Sequence, residues 1–183
     1  RAEVSLVATP IYVGTVAIML SGETAMGKYP VESVQMMHKI ALTSEDHLDY
    51  ESILAEKRSY RTRGISSAVS YAAVATAYHM NSKAILIPTM SGYTARLVSK
   101  FRPQNMVVST SPYWPALRKM QLLWGIMPLK SDFESDTDDI IENAVEVAKE
   151  AKVIEPGDMV VITAGIGFAD IEPGARIETN VMQ

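Results

Sequence analysis

The sequence contains no cysteine. Disulfide bonds, thiolate nucleophiles and zinc sites built on cysteine are therefore excluded, and the composition suits a reducing compartment. The net charge is −4 and no run of basic residues occurs, so nucleic-acid binding is not predicted. Glycine, proline or a charged residue interrupts every apolar stretch before it reaches the length of a membrane span, so no membrane contact is predicted.

Histidine is scarce, with three in the chain. His38 and His47 lie nine residues apart, which on one continuous helix places them about 180° from each other. His79 belongs to a different predicted helix. A metal site built on three histidines is therefore not predicted, and each is expected to be a surface or packing residue.

The chain has 183 residues, of which 48% are hydrophobic. This is enough for one large domain with a well-filled core, or for one and a half small domains. The sequence begins with Arg1 rather than methionine, so we expect it to be part of a longer protein. No signal peptide is recognisable.

From residue 65 onward, short apolar runs alternate with helical patterns. Strands are predicted at residues 83–88, 105–110, 126–130, 158–165 and 175–182. Helices are predicted at residues 65–80, 91–103, 112–125 and 136–152. This order is typical of an α/β domain with helices on both faces of a mostly parallel sheet. The last strand alternates polar and apolar residues, which indicates an edge strand.

The charged stretch "TSEDHLDYESILAEKRSYRTRG", residues 43–64, precedes this alternation. We interpret it as an irregular connection between two domains. Its composition fits a solvated helix end followed by a loop equally well.

The stretch "GETAMGKY", residues 22–29, is one residue away from a nucleotide-binding P-loop. Tyr29 stands where that motif needs a serine or threonine for Mg²⁺. Pro30 lacks the amide that the motif's helix would offer, and Glu23 would repel phosphate. We therefore predict a strand at Val16–Leu20, a loop, and an ordinary helix that begins at Pro30.

The stretch "GIGFAD", residues 165–170, begins like a dinucleotide-binding fingerprint. Asp170 holds the place of its third glycine, and Pro173 and Gly174 argue against a helix after it. A dinucleotide site is therefore not predicted. No pairing of a nucleophile with a base is recognisable in the chain.

The loop "TMSGYT", residues 89–94, joins a predicted strand to a predicted helix. Hydroxyl groups, glycine and free amides at the start of a helix suit a phosphate group. A helix cap made by Ser91 or Thr94 is the alternative, and it is the commoner reason for such residues.

Several motifs together resemble the pyruvate kinase family. "MLSGETAMGKYPVESVQMM" resembles that family's last barrel strand, loop and helix, and "RAEVSLVA" the segment before it. "SGYTARLVSKFRP", "GIMPL", "DTDDIIENAVEVAKE" and "GDMVVITAG" are similar to its C-terminal domain in the same order. The resemblance covers almost the whole chain.

The resemblance implies that residues 1–49 are the end of a (β/α)₈ barrel, including its last βα unit. Residues 50–183 would form a three-layer α/β C-terminal domain with a mostly parallel five-stranded sheet. Ser21 and Glu23 would then stand near the rim of the catalytic pocket as proton-relay or supporting groups. Within residues 6–16, Pro10 is expected to interrupt a helix.

The implied activity is phosphate transfer from phosphoenolpyruvate to ADP, giving pyruvate and ATP, in a cytoplasmic homotetramer with an allosteric activator. The resemblance places the Mg²⁺ ligands, the K⁺ ligands and the phosphate-binding lysine before this segment. Residues 1–183 alone are therefore expected to be inactive. The alternative is a free-standing regulatory module that binds a phosphorylated ligand without catalysis.

The resemblance also assigns the loop at 89–94 to a phosphate of a small-molecule activator. Thr89, Ser91 and Thr94 would supply hydroxyl groups, and Gly92 and Tyr93 backbone amides. Met90 replaces a common lysine, Ile140 stands where some family members carry an arginine, and "GFADIEPGARIETN" departs from the usual glycine-rich loop. A sugar or nucleotide monophosphate therefore fits better than a bisphosphate.

Overall fold

A computed structural model describes residues 2–59, 64–166 and 174–181, with side chains for 4–58 and 64–164. The chain divides into two compact units, Arg1–Asp49 and Tyr50–Gln183. Within the described ranges, none of the helices is both long enough and apolar enough to cross a membrane.

The first unit is helical throughout its described secondary structure. It contains α1 (Ala2–Val13), α2 (Gly22–Ala25) and α3 (Pro30–Glu45). The start of α3 at Pro30 confirms the predicted helix start.

Two expectations for the first unit are wrong. Residues 16–20 form no strand, because a strand exists only by pairing and this unit offers no other strand among its described residues. Pro10 does not interrupt α1, which continues to Val13. The amides of Gly14 and Thr15 donate to the carbonyl of Pro10 at 3.0 and 2.9 Å, so the turn after the proline remains closed.

The second unit is a five-stranded sheet with helices on both faces. Its helices are α4 (Tyr50–Ser59), α5 (Ile65–His79), α6 (Tyr93–Ser99), α7 (Trp114–Met120) and α8 (Thr137–Glu150). Its strands are β1 (Ala84–Pro88), β2 (Met106–Ser111), β3 (Ile126–Lys130), β4 (Met159–Ile166) and β5 (Gly174–Val181).

The strand order is β3-β2-β1-β4-β5. The strands β1 to β4 run parallel to one another, and β5 pairs antiparallel with β4 at the sheet edge. All five strands predicted from residue 65 onward are confirmed, as is the position of the last one at the edge of the sheet.

The core has two layers, one on each face of the sheet. Ile85 and Ile87 pack with buried residues of α5, α6 and α7. Their neighbours Ala84 and Leu86 point to the opposite face and pack with α8, because successive side chains of a strand alternate. The predicted three-layer architecture is confirmed.

The charged stretch at 43–64 is more regular than predicted. The helix α3 extends into it as far as Glu45, and α4 occupies Tyr50–Ser59. Leu54 is buried in the core beside α5. Among residues 50–58, Leu54 is the one buried residue, and the charged residues around it explain why composition alone suggested a loop.

Two helices are shorter than predicted. The helix α6 ends at Ser99 because the chain turns there: Phe101 enters the core and Arg102 adopts a positive φ of 50°. The Arg102 guanidinium then lies 4.0 Å from the ring centre of Trp124. The helix α7 ends at Met120 rather than at Gly125.

Candidate functional site

The carboxyl ends of β1, β2 and β3 lie side by side. The Thr89 amide donates to the Thr110 carbonyl at 2.9 Å, and the Ser131 amide donates to the Ser111 carbonyl at 3.2 Å. These hydrogen bonds extend the pairing of β1 with β2 and the pairing of β2 with β3 past the ends of the strands. The loops that follow are therefore held together at the edge where parallel sheets bind ligands.

A cavity of about 360 Å³ opens among these loops. Its apolar lining consists of Pro88, Met90, Pro112, Phe133, Ile140 and Ala164. Its uncharged polar lining consists of Thr89, Thr110, Ser131, Ser135, Thr137 and Asn143. Asp132 and Glu134 complete the lining. The volume is within the range of about 300–1,000 Å³ that small-molecule sites occupy.

Two of the lining residues that carry hydroxyl groups are largely buried. Thr110 is 2% exposed and Ser131 is 8% exposed. Neither hydroxyl makes a hydrogen bond to a described residue. Buried hydroxyl groups in proteins normally have partners, so both are available to a molecule in the cavity.

The loop predicted to bind phosphate has internal hydrogen bonds. The Gly92 amide donates to Oγ1 of Thr89 at 3.1 Å, and the Tyr93 amide donates to Oγ of Ser91 at 3.4 Å. Gly92 has a φ of 81° in the left-handed region, where glycine is strongly favoured. Oγ of Ser111 donates to the Met90 carbonyl at 3.4 Å, which links this loop to the end of β2.

The five predicted residues do not all reach the cavity. Thr89 lines it, whereas Ser91, Gly92, Tyr93 and Thr94 lie on the same loop and helix start outside the lining. Gly92, rather than Ser91 or Thr94, occupies the N-cap position of α6, and no side chain caps this helix.

The segment after β3, residues 131–135, was not predicted from the sequence to be part of the site. It lines the cavity together with Thr89 and carries both lining carboxylates. A usable signal was present, because loops after parallel strands meet at one edge of the sheet. Because β3 lies beside β2, residues 131–135 follow the sheet at the same edge as the loop after β1.

The start of α8 is acidic and already capped. The Asp136 carboxylate accepts a hydrogen bond from the Asp138 amide at 2.9 Å, and Asp139 also lies in the first turn. Thr137, Ile140 and Asn143 of this helix line the cavity. The first turn of α8 therefore carries the carboxylates of Asp138 and Asp139, and no cationic side chain, next to the lining residue Thr137.

Ser21 and Glu23 lie in the first unit, around α2. The Ser21 amide donates to Oε2 of Glu23 at 3.0 Å. Hydrogen bonds from the backbone amides of Glu23 itself and of Ser21 lower the pKa of the Glu23 carboxyl, which is fully exposed. Glu23 is therefore held as a carboxylate by its own turn.

Within the described ranges, no group of three or more His, Asp or Glu residues is placed to hold a metal ion. Residues 167–173 lie outside the described residues. Of the stretch "GIGFAD", only Gly165 and Ile166 are described, at the end of β4, so the expectation that no helix follows it lies outside the described residues.

A parallel sheet with a ligand-sized cavity at its carboxyl edge is the arrangement that α/β domains commonly use to bind small molecules. The profile of the family described as pyruvate kinase, alpha/beta domain, matches residues 67–183. The chain belongs to the pyruvate kinase family.

Relatives of known name agree with this assignment. The pyruvate kinase of Sporosarcina psychrophila is 43% identical over 183 residues, which are 100% of this chain and 30% of that protein. The pyruvate kinase of Bacillus licheniformis is 42% identical over 165 residues, 90% of this chain and 28% of that protein.

A solved structure, Cryptosporidium parvum pyruvate kinase in complex with ADP, matches with a TM-score of 0.85 at 28% identity. The match covers 100% of this chain and 37% of that one. The chain thus spans about 30% of the length of the curated relatives.

Proposed function

We propose that the chain is part of an enzyme that transfers phosphate from phosphoenolpyruvate to ADP, giving pyruvate and ATP in glycolysis. The observation that supports this most directly is 43% identity to the S. psychrophila pyruvate kinase over the whole chain. Glycolytic phosphate transfer places the enzyme in the cytoplasm, in keeping with the absence of cysteine.

In this proposal, residues 1–49 are the end of the catalytic barrel and residues 50–183 are a regulatory domain that also contributes to a homotetramer. Active sites of such barrels lie at the carboxyl ends of the strands. Ser21 and Glu23 are then rim residues. The Glu23 carboxylate is kept ionised by its backbone hydrogen bonds, so it is suited to accept a hydrogen bond from a neighbouring group rather than to take up a proton.

The proposed enzyme requires Mg²⁺ and K⁺. Among the described residues, no group of three or more His, Asp or Glu residues is placed to hold a metal ion. No step of the reaction is therefore assigned to a metal bound by this chain. The proposal places both ions in the remaining part of the full-length protein.

The loop at 89–94 is proposed to bind the phosphate of an activator. Ionised acceptors form shorter and stronger hydrogen bonds than hydroxyl oxygens do. A phosphate oxygen would therefore displace the Ser91 hydroxyl from the Tyr93 amide, where the present distance is a long 3.4 Å. Thr89 already faces the cavity, so the body of the activator would extend into it.

The enzymatic proposal is tested with the full-length protein in a coupled assay for pyruvate formation with Mg²⁺ and K⁺. We expect turnover by the full-length protein and none by residues 1–183 alone, because phosphoryl transfer depends on metal ions and a cationic clamp. Lack of turnover by the full-length protein would contradict the enzymatic proposal. Turnover by residues 1–183 alone would contradict the proposal that the main catalytic residues lie outside this segment.

The phosphate loop is tested by calorimetric titration of inorganic phosphate and sugar monophosphates into the chain and its Ser91→Asp variant. A fixed negative charge in the loop should abolish binding. The matched control is Ser91→Asn, which keeps a hydrogen-bond acceptor without the charge and should retain most of the affinity. Asp and Asn are both compatible with a helix start, so all three proteins should unfold at similar temperatures. Equal binding by all three would exclude the loop as the phosphate site.

A further inference from the structure

The turn that presents Glu23 is built around the backbone of Ser21. The amides of Thr24 and Ala25 donate to the Ser21 carbonyl at 3.3 and 3.0 Å, and Oγ1 of Thr24 donates to the same carbonyl at 3.2 Å. The Ser21 amide in turn donates to Oε2 of Glu23 at 3.0 Å. Residues 21–25 are all exposed, so the direction of the Glu23 carboxylate is set by this backbone rather than by packing.

Gly27 follows the turn and lies close to the backbone of Glu23. A Cβ atom at position 27 would overlap the carbonyl oxygen of Glu23, and it would lie 3.0 Å from the carbonyl carbon and 3.2 Å from Cα of that residue. All three atoms belong to the main chain, so none can move aside as the end of a flexible side chain can. A side chain at position 27 would therefore displace the backbone of Glu23.

The usual reason for a glycine after a helix does not apply to Gly27. Glycine commonly follows the C-cap because it readily adopts a left-handed backbone, and Gly27 does follow Met26, the C-cap of α2. However, Gly27 is not among the glycine residues with a positive φ. The close approach to Glu23 is thus what requires glycine at this position.

Gly22, in the same turn, provides a contrast. It also lacks a positive φ, and no described atom lies within 4 Å of its Cβ position. An alanine at position 22 therefore meets no obstacle in this chain, whereas an alanine at position 27 has to displace Glu23. The two positions separate the loss of a glycine from the loss of the close approach.

We propose that Gly27 is a positioning residue for Glu23 in the phosphate-transfer reaction. Its lack of a side chain lets the two backbone segments lie closer than any other residue would permit, and this fixes the direction of the Glu23 carboxylate. Only Lys28 and Tyr29 separate Gly27 from Pro30, the first residue of α3, so the turn is also held near the start of that helix. This inference rests on the proposed role of Glu23 at the rim of the catalytic pocket.

The first measurement is an NMR titration of the chain, because the pKa of the Glu23 carboxyl reports the hydrogen bonds that lower it. In Gly27→Ala, the Glu23 midpoint should return most of the way to its value in urea, and the Ser21 amide should lose most of its pH-dependent shift. In the matched control Gly22→Ala, both signals should stay as in the parent. Parent-like signals in Gly27→Ala would overturn the inference.

The second measurement is a double-mutant cycle in the full-length enzyme, which tests whether Gly27 acts through Glu23. Gly27→Ala should lower kcat about 10–100-fold, because a displacement on the order of 1 Å can lower a rate about 10²-fold. In the Glu23→Gln background the same change should lower kcat by no more than about threefold, since changes that act through one group are not additive. Equal losses in the two backgrounds would mean that Gly27 supports only the stability of the fold.

The outcomes separate this inference from the proposal beneath it. If Glu23→Gln alone keeps the parent's kcat, the proposed role of Glu23 fails, and Gly27 positions a carboxylate that the reaction does not use. If Glu23→Gln lowers kcat but Gly27→Ala changes neither kcat nor the titration, the role of Glu23 stands and this inference fails. If Gly27→Ala gives no folded full-length enzyme, the titration of the chain decides, because it requires only that α3 keeps its native amide signals.

Discussion

Gly92 and Met120 lie so close together that no side chain fits between them. A Cβ atom built on Gly92 would lie 2.9 Å from Cγ and 3.2 Å from Sδ of Met120. Met120 is itself buried, and its sulfur lies 3.2 Å from Oγ of Ser109 in β2, a hydroxyl that donates to the Ile87 carbonyl at 2.9 Å. The position of the proposed phosphate loop therefore depends on α7 and on the centre of the sheet.

The first prediction concerns this contact. Gly92→Ala should lower the free energy of unfolding by about 2–4 kcal/mol, the sum of about 1–2 kcal/mol for the left-handed backbone and about 1–2 kcal/mol for crowding Met120. Gly125→Ala is the matched control, because Gly125 has a φ of 65° and open space around its Cβ position. Urea unfolding monitored by circular dichroism measures both. Equal losses for the two variants would show that Met120 adapts without cost.

The buried strands could be predicted from the sequence, because each is a short apolar run between turn residues. The same signal failed at Val16–Leu20, which is equally apolar but has no pairing partner among the described residues of its unit. Pairing partners are remote in sequence, and an apolar run carries no information about them.

One of the two loops that line the candidate site could also be predicted from the sequence. The loop after β1 could be singled out by its hydroxyl groups and glycine. Asp132 and Glu134 have no local pattern that indicates a site, and they reach it only because β3 lies beside β2. Likewise, the need for glycine at position 92 depends on Met120, which approaches from another helix.

The second prediction concerns the end of α8. The Lys152 amide donates to the Lys149 carbonyl at 2.8 Å and the Val153 amide to the Ala148 carbonyl at 3.1 Å. These two bonds form the motif that normally places glycine at the left-handed position, here occupied by Lys152 with a φ of 56°.

Lys152→Gly should therefore raise the free energy of unfolding by roughly 0.5–1 kcal/mol, because the left-handed backbone costs other residues about 1–2 kcal/mol and the greater freedom of unfolded glycine offsets part of this. Lys152→Ala removes the same charge and keeps the strained backbone, so its stability should stay near the parent's. Thermal unfolding by calorimetry compares the three. A glycine variant no more stable than the alanine variant would refute the argument.

The third prediction concerns pH. Backbone hydrogen bonds from Glu23 and Ser21 lower the pKa of the Glu23 carboxyl in the folded chain. A lowered folded pKa means that the ionised carboxylate stabilises its turn at pH values above the unfolded pKa. This contribution is lost as the pH falls through the lower, folded pKa.

An NMR titration of the Glu23 side-chain carboxyl carbon should show a midpoint below that of the same residue in urea. The Ser21 amide signal should shift with the same midpoint, because that amide donates directly to the carboxylate. In Glu23→Gln, the Ser21 amide shift should become independent of pH across this range. A folded midpoint at or above the midpoint in urea would show that the hydrogen bonds do not persist in solution.

The last prediction concerns the first unit, which exposes large apolar side chains. Val13 is 81% exposed and Met19 is 85% exposed, and further exposed apolar residues follow along α3, including Val31, Val34 and Leu42. Monomeric proteins rarely expose large apolar patches, so residues 1–183 by themselves should self-associate. Light scattering over a series of concentrations should show an apparent mass that rises with concentration. The double variant Val13→Lys/Met19→Lys places two charges on this surface and should lower that apparent mass, whereas Lys83→Arg, an exposed change in the second unit, should not. A constant monomer mass for the parent at the highest concentration would mean that these residues are covered in solution by the chain itself.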